Sequence, residues 1–350
     1  GKDFGFRKEW IRRRMEALAS VFGCDVLTYA VMSNHMHIIL RNRPDVVAQW
    51  SDEEVAIRWL RVFPGRRLDE HLADPTDHDV KTLAADQERL AEVRKRLSDI
   101  SWFMRALSEP IARLANKQDE CTGRFWEGRF KAQRITDEAG LLACAMYVDL
   151  NPIRAAMADS PDRAKHTSAY DRIHSERGKE MQSAALELKP ISQEEAAETL
   201  KKTPVHKLKQ QKAERKKQGT GKRIRRDAWL APLFLGRSST SEKPQVHRGG
   251  LRASDKGFLC LKLDEYLSLL RWTARQGPLG VDSRKEIPES LGKAVAKLGI
   301  DLKMWCDLVW NYRKYFGSCA GSPKSLSNHA ESKGHRWVQG QRSVSECFVT

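Results

Sequence analysis

The sequence lacks the features that tie a chain to a membrane or to a secretion route. No stretch approaches the roughly 20 consecutive apolar residues that an α-helix needs to span a bilayer. The first twenty residues are basic and amphipathic, without the apolar run of a secretory signal. These two absences predict a protein with no membrane partner and a cytoplasmic location.

Cysteine is scarce and unpatterned, which excludes two further classes of protein. The chain has seven cysteines, an odd number, and none of them forms a C-x-x-C pair. A zinc knuckle or a disulfide framework would show closely and regularly spaced cysteines. We therefore expect reduced thiols, as in a cytosolic protein, at Cys24, Cys121, Cys144, Cys260, Cys306, Cys319 and Cys347.

Positive charge, in contrast, is abundant and concentrated in one segment. The formal net charge is +16, and residues 201–226 hold twelve Lys or Arg against the single Glu214. That segment alone carries +11, which leaves only +5 for the rest of the chain. Such an excess favours a nucleic acid as partner, because lysine and arginine neutralise phosphates without reading sequence. A solvated linker has the same composition, so both interpretations stay open.

The first half of the chain alternates between helix and strand patterns. Apolar residues at helical spacing predict a helix over 7–22. Two runs rich in branched and aromatic residues, 24–32 and 35–42, predict a β-hairpin with its bend at Ser33-Asn34. The later segments with a clear pattern are a predicted strand over 123–135 and three predicted helices. The helices are 51–63 with Ser51 as N-cap, 81–119 with an interruption near 98–101, and 138–151.

Three residues mark where these later helices begin or break. Pro110 is expected to kink or break its helix, because proline removes a hydrogen bond and clashes with the preceding turn. Asp137 is expected to cap the helix over 138–151. That helix should end near Pro152, since the residue before a proline avoids the helical conformation.

The character of the sequence changes past residue 175. Residues 176–254 are polar and basic and are predicted to form a linker. Residues 255–322 contain three shorter helical patterns, which predict a helical C-terminal region without a recognisable motif. Residues 323–350 are predicted to be a disordered tail.

Two histidines flank a methionine in the second strand of the predicted hairpin. Successive side chains of a strand point to opposite faces, so His35 and His37 share one face and Met36 points into the core. Two imidazoles about 6–7 Å apart at their bases can share a divalent cation. Two unrelated histidines in a hairpin would give the same pattern, and the pair alone does not decide between these interpretations.

A tyrosine and an asparagine lie one helical turn apart in the predicted helix over 138–151. Tyr147 and Asn151 would stack on one face of that helix. Tyr147 could then supply a nucleophilic oxygen and Asn151 an oxygen ligand to the same metal. A half-buried core aromatic and a helix C-cap are the structural alternatives, and spacing alone leaves them open.

Three strings of residues occur in a fixed order along the first half of the chain. They are YAVMSNHMHIIL around the histidines, GRFWEGRFKAQRI from residue 123, and MYVDLNPIRAAM around the tyrosine. In this order and at these distances they resemble the HUH single-tyrosine transposases, in particular the branch associated with repetitive extragenic palindromes. The resemblance covers about residues 5–175 and assigns 1–175 to such a transposase domain.

The resemblance implies both a fold and an activity. The fold would be α+β, an antiparallel sheet with helices on one face in the HUH or ferredoxin-like manner, with a helical C-terminal region added. Members of this family cut and rejoin single-stranded DNA during transposition of a mobile element. The implied protein is a bacterial, nucleoid-associated DNA endonuclease and strand transferase that acts on single-stranded or hairpin DNA, commonly as a homodimer.

The resemblance also implies roles for individual residues. His35 and His37 match the histidines that bind Mg²⁺ or Mn²⁺. Tyr147 matches the nucleophile, which leaves a covalent 5′-phosphotyrosine. Asn151 occupies the place of a polar residue that often completes the metal site.

The DNA contacts are expected on the strand predicted over 123–135 and at the end of the tyrosine helix. Alternation along that strand would place Phe125, Glu127, Arg129 and Lys131 on one face and Arg124, Trp126 and Phe130 on the other. Cations mixed with aromatic rings suit a stacked single strand or hairpin. The alternative is that the aromatic rings pack in the core and the arginines are merely solvated. The expected DNA-binding residues are Arg124, Arg129, Lys131 and Arg154.

The chain departs from the family pattern in two ways. Family members carry a strand before the first helix, which this sequence does not include, so the sheet is expected to have an unpaired edge. The insertion over about 44–98 is long and has no assigned role.

Three other functions remain compatible with the sequence. The first is a truncated or domesticated transposase that binds DNA hairpins without cutting them. The second is a phosphohydrolase that uses the two histidines and a metal but no tyrosine nucleophile. The third is a general RNA-binding protein that acts through residues 201–226.

Overall fold

The computed structural model describes residues 5–65, 72–218, 220–235, 244–277 and 287–349. Within these residues helices are joined by short strands, so the chain has the mixed helical and sheet composition expected for an α+β fold. The helices are α1 (Phe6–Ala19), α2 (Pro44–Val47), α3 (Asp52–Val62), α4 (Asp77–Ala85), α5 (Gln87–Leu97), α6 (Ile100–Gln118), α7 (Glu138–Arg154), α8 (Ser168–Glu176), α9 (Gln193–Lys202), α10 (Val205–Gln218), α11 (Leu263–Gln276), α12 (Glu289–Ala296), α13 (Trp305–Trp310), α14 (Tyr312–Tyr315), α15 (Pro323–Ser332) and α16 (Gln341–Ser345). The strands are β1 (Cys24–Val31), β2 (Met36–Asn42), β3 (Arg134–Ile135), β4 (Glu180–Gln182), β5 (Arg223–Arg225) and β6 (Cys319–Ala320).

The hairpin predicted around the two histidines is confirmed. β1 and β2 pair in antiparallel fashion, with Ala30 opposite His37 and Val31 opposite Met36. The bend falls at Ser33-Asn34, as the polar pair predicted. A shift of register between Val26 and Thr28 marks a β-bulge, which changes the face to which the following side chains of β1 point.

Helices cover both faces of this hairpin, whereas the sequence predicted helices on one face only. On one face, Leu27, Ala30 and Ile39 belong to a hydrophobic cluster with α7 and the C-terminal helices. On the other face, Val26 and Tyr29 belong to a second cluster with α1, α3, α5 and α6. β1 is buried along its whole length, and a strand buried on both faces needs apolar cover on each side.

The edge of β1 that faces away from β2 was expected to be unpaired, and the structure closes it at two points. The backbone N–H of Val31 donates to the carbonyl of His166 at 3.0 Å, and Ala30 forms an antiparallel bridge with Thr167. Further along the strand, the backbone N–H of Ala231 donates to the carbonyl of Val26 at 2.9 Å. Segments distant in sequence therefore satisfy part of this edge.

The helices of the insertion follow the sequence patterns with two differences. α3 begins after Ser51, which caps it as predicted. The helix predicted over 81–119 is divided into α4, α5 and α6, with a break at Asp86 as well as the predicted one before Ile100. Pro110 lies inside α6 without breaking it, because packing of the apolar face of this helix outweighs the one backbone hydrogen bond that proline removes.

The strand predicted over 123–135 is wrong except for its last two residues, which form β3. Residues 123–133 are an irregular and mostly exposed loop, so their side chains do not alternate between two faces. Gly123 has a φ of +123°, a conformation foreign to a strand. Trp126 is the aromatic residue that holds the loop in place, because its Nε1–H donates to the carbonyl of Ser108 at 2.9 Å.

The tyrosine helix α7 begins as predicted and ends later than predicted. The Asp137 side chain caps it by accepting a hydrogen bond from the backbone N–H of Gly140 at 2.9 Å. The helix continues through Pro152 to Arg154, so the prediction that it ends near the proline is wrong. α7 is buried along most of its length, and this packing compensates for the hydrogen bond that proline cannot make. Asn151 is consequently inside the helix and is not its C-cap.

The C-terminal helices share a hydrophobic core with α7. Leu267, Trp305 and Leu308 belong to the same buried cluster as Leu142 and Leu150 of α7. β3, just before α7, also pairs in parallel with β6. The C-terminal region therefore contributes directly to the surroundings of the predicted nucleophile.

The segments predicted as a linker and as a disordered tail also contain regular structure. Residues 176–254 include β4, α9, α10 and β5, and Trp229 is fully buried against the second cluster. Residues 323–350 include α15 and α16 and bury Leu326 and Val344. In each segment a few widely spaced apolar residues pack into the core and hold the segment in place. The predictions rest on the polar average composition, which does not reveal such isolated residues.

One buried carboxylate joins several of these elements. Asp171 of α8 accepts hydrogen bonds at Oδ2 from Nε and Nη2 of Arg12 at 2.9 and 2.6 Å and from the Tyr29 hydroxyl at 2.8 Å. Its other oxygen accepts from Nε and Nη2 of Arg226 at 3.1 and 2.9 Å. Both Arg12 and Asp171 are almost completely excluded from solvent. This carboxylate therefore holds α1, β1, α8 and the residues after β5 together.

The contact between α7 and the C-terminal region can be tested at Gly140. A Cβ at this position would lie 2.6–2.7 Å from backbone atoms of Ala320 and Gly321, which cannot move independently of β6. We expect Gly140→Ala to lower the free energy of unfolding by about 1–3 kcal/mol, the usual cost of overpacking. The measurement is the urea unfolding midpoint.

The matched control for this substitution is Gly292→Ala in α12. There the nearest atom to the added Cβ is a Leu302 methyl carbon at 3.3 Å, on a flexible side chain. Because alanine is the better helix former by up to about 1 kcal/mol, we expect Gly292→Ala to be neutral or stabilising. Equal effects of the two substitutions would contradict the close packing of α7 on the C-terminal region.

Two expectations about the whole chain can be compared with the structure. No helix of the described ranges is long and apolar enough to cross a membrane. All seven cysteines lie in the described ranges and are free there.

Candidate active site

Four aromatic rings from three separate parts of the chain form a continuous row. The ring centroids of His35 and His37 are 5.0 Å apart and nearly perpendicular. His37 contacts the ring of Tyr147 edge-on, with centroids 5.4 Å apart. Tyr147 in turn stacks on Tyr312, with centroids 4.9 Å apart and an interplanar angle of 19°. The structure thus brings together the two histidines and the tyrosine that the sequence singled out.

The hairpin and α7 explain why these side chains meet. His37 is paired with Ala30, on the face of the hairpin that packs against α7. Met36 is half-buried on the opposite face, against the second cluster, as alternation predicted. Tyr147 lies midway along α7, where this helix crosses the hairpin.

The surroundings of the histidines favour their neutral forms. Burial lowers the pKa of His37 to about 4, and the positive charges of His35, Arg313 and Arg154 act in the same direction. The pKa of His35 is also lowered, first by partial burial and then by Arg313. Both rings are therefore neutral at pH 7 and present an unprotonated nitrogen.

Two guanidinium groups give the site a positive potential. The Arg154 guanidinium carbon lies 5.6 Å from the centroid of the Tyr147 ring, and its side chain is exposed at the end of α7. Arg313, at the exposed side of α14, acts electrostatically on both His35 and His37. An exposed pair of arginines beside neutral polar rings attracts an anion, and guanidinium geometry suits phosphate oxygens.

His35 has one further partner in the hairpin bend. Its Nδ1 lies 2.7 Å from Oδ1 of Asn34, a hydrogen bond in which the ring donates. This contact leaves Nε2 of His35 as the unprotonated nitrogen. A hydrogen bond of this kind orients a histidine that binds a metal ion through its other nitrogen.

Of the remaining predicted site residues, Arg154 contacts this row of rings and the others do not contact it within the described part of the chain. Asn151 is 6% exposed on the same face of α7 as Tyr147, and no hydrogen bond or ring contact between the described residues joins it to either histidine. Three predicted DNA-binding residues lie exposed on the loop 123–133, namely Arg124, Arg129 and Lys131. Arg154 is the predicted DNA-binding residue that contacts the ring of Tyr147.

The histidine pair is the part of the site that could hold a metal ion. In the described ranges no group of three or more His, Cys, Asp or Glu side chains comes together as a set of metal ligands. Two neutral imidazoles can nevertheless provide two nitrogen ligands, with water or a bound phosphate supplying oxygen ligands. Such a donor set fits a divalent ion that is bound fully only together with an anionic substrate.

Sequence reasoning missed three residues of this site, namely Gln133, Tyr312 and Arg313. Tyr312 and Arg313 lie about 165 residues after Tyr147 in a region without a motif, and no local pattern signals that α14 packs on α7. Gln133 accepts a hydrogen bond from the Tyr312 hydroxyl at 2.6 Å and so belongs to the same site.

The side chains of this site determine which chemistry it can support. It combines the phenol of Tyr147, which is 7% exposed, with two neutral imidazoles and with two guanidinium groups that are exposed at the surface. A comparison with protein-family models, with curated proteins and with solved structures gave no match for this chain. The functional interpretation therefore depends on the geometry of this site, which is suited to a nucleophilic attack by a tyrosine on an anionic ester.

Proposed function

We propose that the protein is a transposase-type DNA endonuclease and strand transferase of the HUH single-tyrosine kind, with Tyr147 as its nucleophile. The observation that carries the proposal is the contact of the Tyr147 ring with His37 on one side and Arg154 on another. These residues come from the three-string resemblance, and their meeting requires the hairpin and α7 to fold against each other. The HUH arrangement of the sheet is part of this proposal, and the hairpin backed by α7 supports it.

The substrate is single-stranded or hairpin DNA. Arg154 and Arg313 can neutralise a phosphate at the site, and the exposed loop with Arg124, Arg129 and Lys131 offers cations to the neighbouring phosphates. Phe130 on this loop is 43% exposed and can stack on an unpaired base. This mixture of exposed cations and an aromatic ring suits an unpaired strand better than a closed duplex.

The reaction is a transesterification that needs no co-substrate. The phenolic oxygen of Tyr147 forms a bond to phosphorus while the bond from phosphorus to the 3′-oxygen breaks. The phenol loses its proton and the departing 3′-oxygen gains one, so charge and atoms balance. The products are a 5′-phosphotyrosine and a free 3′-hydroxyl, which can reverse the reaction and rejoin a strand.

The arginines and the histidines have different tasks in this reaction. Arg154 and Arg313 hold the phosphate and offset the charge that develops on its oxygens. A pKa of about 4 makes His37 a weak proton acceptor at neutral pH, because an efficient general base titrates near the working pH. The neutral rings of His35 and His37 are better suited to hold a divalent ion.

A divalent ion, Mg²⁺ or Mn²⁺ in this proposal, would supply polarisation of a non-bridging phosphate oxygen when bound. His35 and His37 would hold it, and the hydrogen bond from His35 to Asn34 would orient the first ring. Asn151 remains a proposed third ligand on the strength of its position one turn after Tyr147.

The proposal is tested by a search for the covalent intermediate. The full chain is incubated with a panel of single-stranded DNA hairpins and Mn²⁺ or Mg²⁺, and the products are separated on a denaturing gel. Because the tyrosine retains the 5′-phosphate, a label at the 3′ end of the DNA should migrate with the protein. A label at the 5′ end should appear in a shorter free strand.

The controls separate this activity from the alternatives. EDTA should remove the adduct, and RNA hairpins of the same sequence should give none. Cleavage with multiple turnovers and without an adduct would favour a phosphohydrolase. Binding of the hairpins without cleavage, in either metal, would favour a protein that only binds DNA and would contradict the proposal.

A further inference from the structure

The proposed nucleophile is stacked on a second tyrosine that comes from the C-terminal region. Tyr312 is 3% exposed, and its ring lies nearly parallel to that of Tyr147 at a centroid distance of 4.9 Å. The ring of Phe316, which follows the last residue of α14, also contacts Tyr312, with centroids 4.8 Å apart. This contact restricts the orientation of the Tyr312 ring further. A ring held on one face in this way has few orientations available to it.

The hydroxyl of Tyr312 is also fixed. It donates a hydrogen bond to Oε1 of Gln133 at 2.6 Å, and Nε2 of Gln133 donates to the carbonyl of Gly317 at 2.7 Å. Burial raises the pKa of the Tyr312 phenol well above its usual range, with the neighbouring Cys144 thiol acting in the same direction. Tyr312 therefore stays protonated and remains a donor to Gln133.

Gln133 connects this arrangement to the basic loop. It lies at the end of the loop 123–133, two residues after Lys131. One side chain thus joins the loop that carries Arg124, Arg129 and Lys131 to the helix that carries Tyr312. The hydrogen bonds of Gln133 therefore join the end of the basic loop to the residue that stacks on Tyr147.

We propose that Tyr312 is a positioning residue for the cleavage reaction, which fixes the plane of the Tyr147 ring, and that Gln133 holds Tyr312 in the stacked orientation. This inference rests on the proposed function, since it assigns a role in the step that Tyr147 performs. The attack requires the phenolic oxygen to lie in line with the bond that breaks. A displacement of about 1 Å at such a centre can cost about 100-fold in rate.

Arg313, the residue after Tyr312, has a different role in the same helix. Its exposed guanidinium faces the histidines and would contact DNA, whereas the buried ring of Tyr312 cannot. Loss of Arg313 should therefore weaken DNA binding. Loss of the Tyr312 ring should slow the chemical step and leave DNA binding unchanged.

The experiment compares Tyr312→Leu, Tyr312→Phe and Arg313→Gln in the full chain. The probe is a 3′-labelled DNA hairpin that the wild type cleaves, in single-turnover reactions with saturating protein. We expect Tyr312→Leu to slow adduct formation by about 10- to 100-fold, with the Kd for DNA within about twofold of wild type. Tyr312→Phe, which keeps the stacked ring and loses the interactions of the hydroxyl with Gln133 and Cys144, should recover the rate to within about fivefold of wild type.

A matched control separates positioning from a general loss of stability. Phe103→Leu changes a buried ring of the second cluster, which contacts Phe22 at a centroid distance of 5.5 Å and lies outside the site. It should lower the melting temperature without changing the rate at a temperature where the protein is folded. Equal rates for Tyr312→Leu and wild type would overturn the inference, as would a Tyr312→Phe variant that is as slow as Tyr312→Leu. A wild type that forms no adduct would overturn the proposed function itself and this inference with it.

Discussion

Replacement of Tyr147 by phenylalanine is expected to abolish the covalent adduct. The substitution removes the oxygen that forms the bond to phosphorus and leaves the ring in place. Loss of a catalytic nucleophile costs about 10⁴-fold or more in rate, so the adduct should fall below detection. The contacts of Tyr147 with His37, Tyr312 and Arg154 are contacts of its ring, which phenylalanine also provides.

The same reasoning predicts what Tyr147→Phe will not change. The free energy of unfolding should stay within about 1 kcal/mol of wild type, the typical net effect of one hydroxyl. Hairpin binding should also persist, because the exposed arginines remain. The measurements are the denaturing gel with the 3′-labelled hairpin, a urea titration and a DNA-binding titration on the same preparation.

Tyr170→Phe is the matched control for this experiment. Tyr170 is a half-buried tyrosine whose ring also stacks on a neighbour, His174 at a centroid distance of 3.9 Å, on α8 and outside the row of rings. Adduct formation should be unchanged in this variant. If Tyr147→Phe still cleaves DNA at the wild-type rate, the tyrosine is a core aromatic and the histidines act without it.

The parts of the site that could be predicted from the sequence have local signals. A run of branched residues, a polar bend and a second such run define the histidine hairpin. An aspartate three residues before a glycine N–H defines the start of α7. Both elements formed where the sequence placed them, and the structure then brought His35 and His37 to Tyr147.

The parts that could not be predicted depend on contacts between distant segments. The loop 123–133 has the alternating residues of a strand, but a strand needs a neighbour to satisfy its backbone, and none pairs with it in the described ranges. Its arginines are exposed in an irregular loop and are therefore still available to DNA. The stack of Tyr312 on Tyr147 joins residues that no local pattern relates. The metal ion and the role of Asn151 as its third ligand stay predictions. Among the described residues no contact between Asn151 and either histidine supports that role.

The largest expected effect on stability is that of Asp171→Asn. Asp171 is fully buried and accepts five hydrogen bonds, from Arg12, Tyr29 and Arg226. The amide keeps the shape of the carboxylate but carries no charge and offers one acceptor oxygen instead of two. Arg12, 1% exposed, would keep only longer contacts with carboxylates, with Glu16 at 3.4 Å and Glu9 at 4.0 Å.

We expect Asp171→Asn to lower the free energy of unfolding by about 3–5 kcal/mol, the usual cost of leaving a buried charge without its partner. The measurement is the urea unfolding midpoint at neutral pH, with an unchanged slope as the check that unfolding remains two-state.

Asp159→Asn is the control, because Asp159 pairs with Arg163 at the surface, where both side chains are more than 60% exposed. Exposed pairs contribute little to stability, because water screens the two charges. A similar loss in the two variants would mean that the buried carboxylate does not join α1, β1 and α8 as the structure indicates.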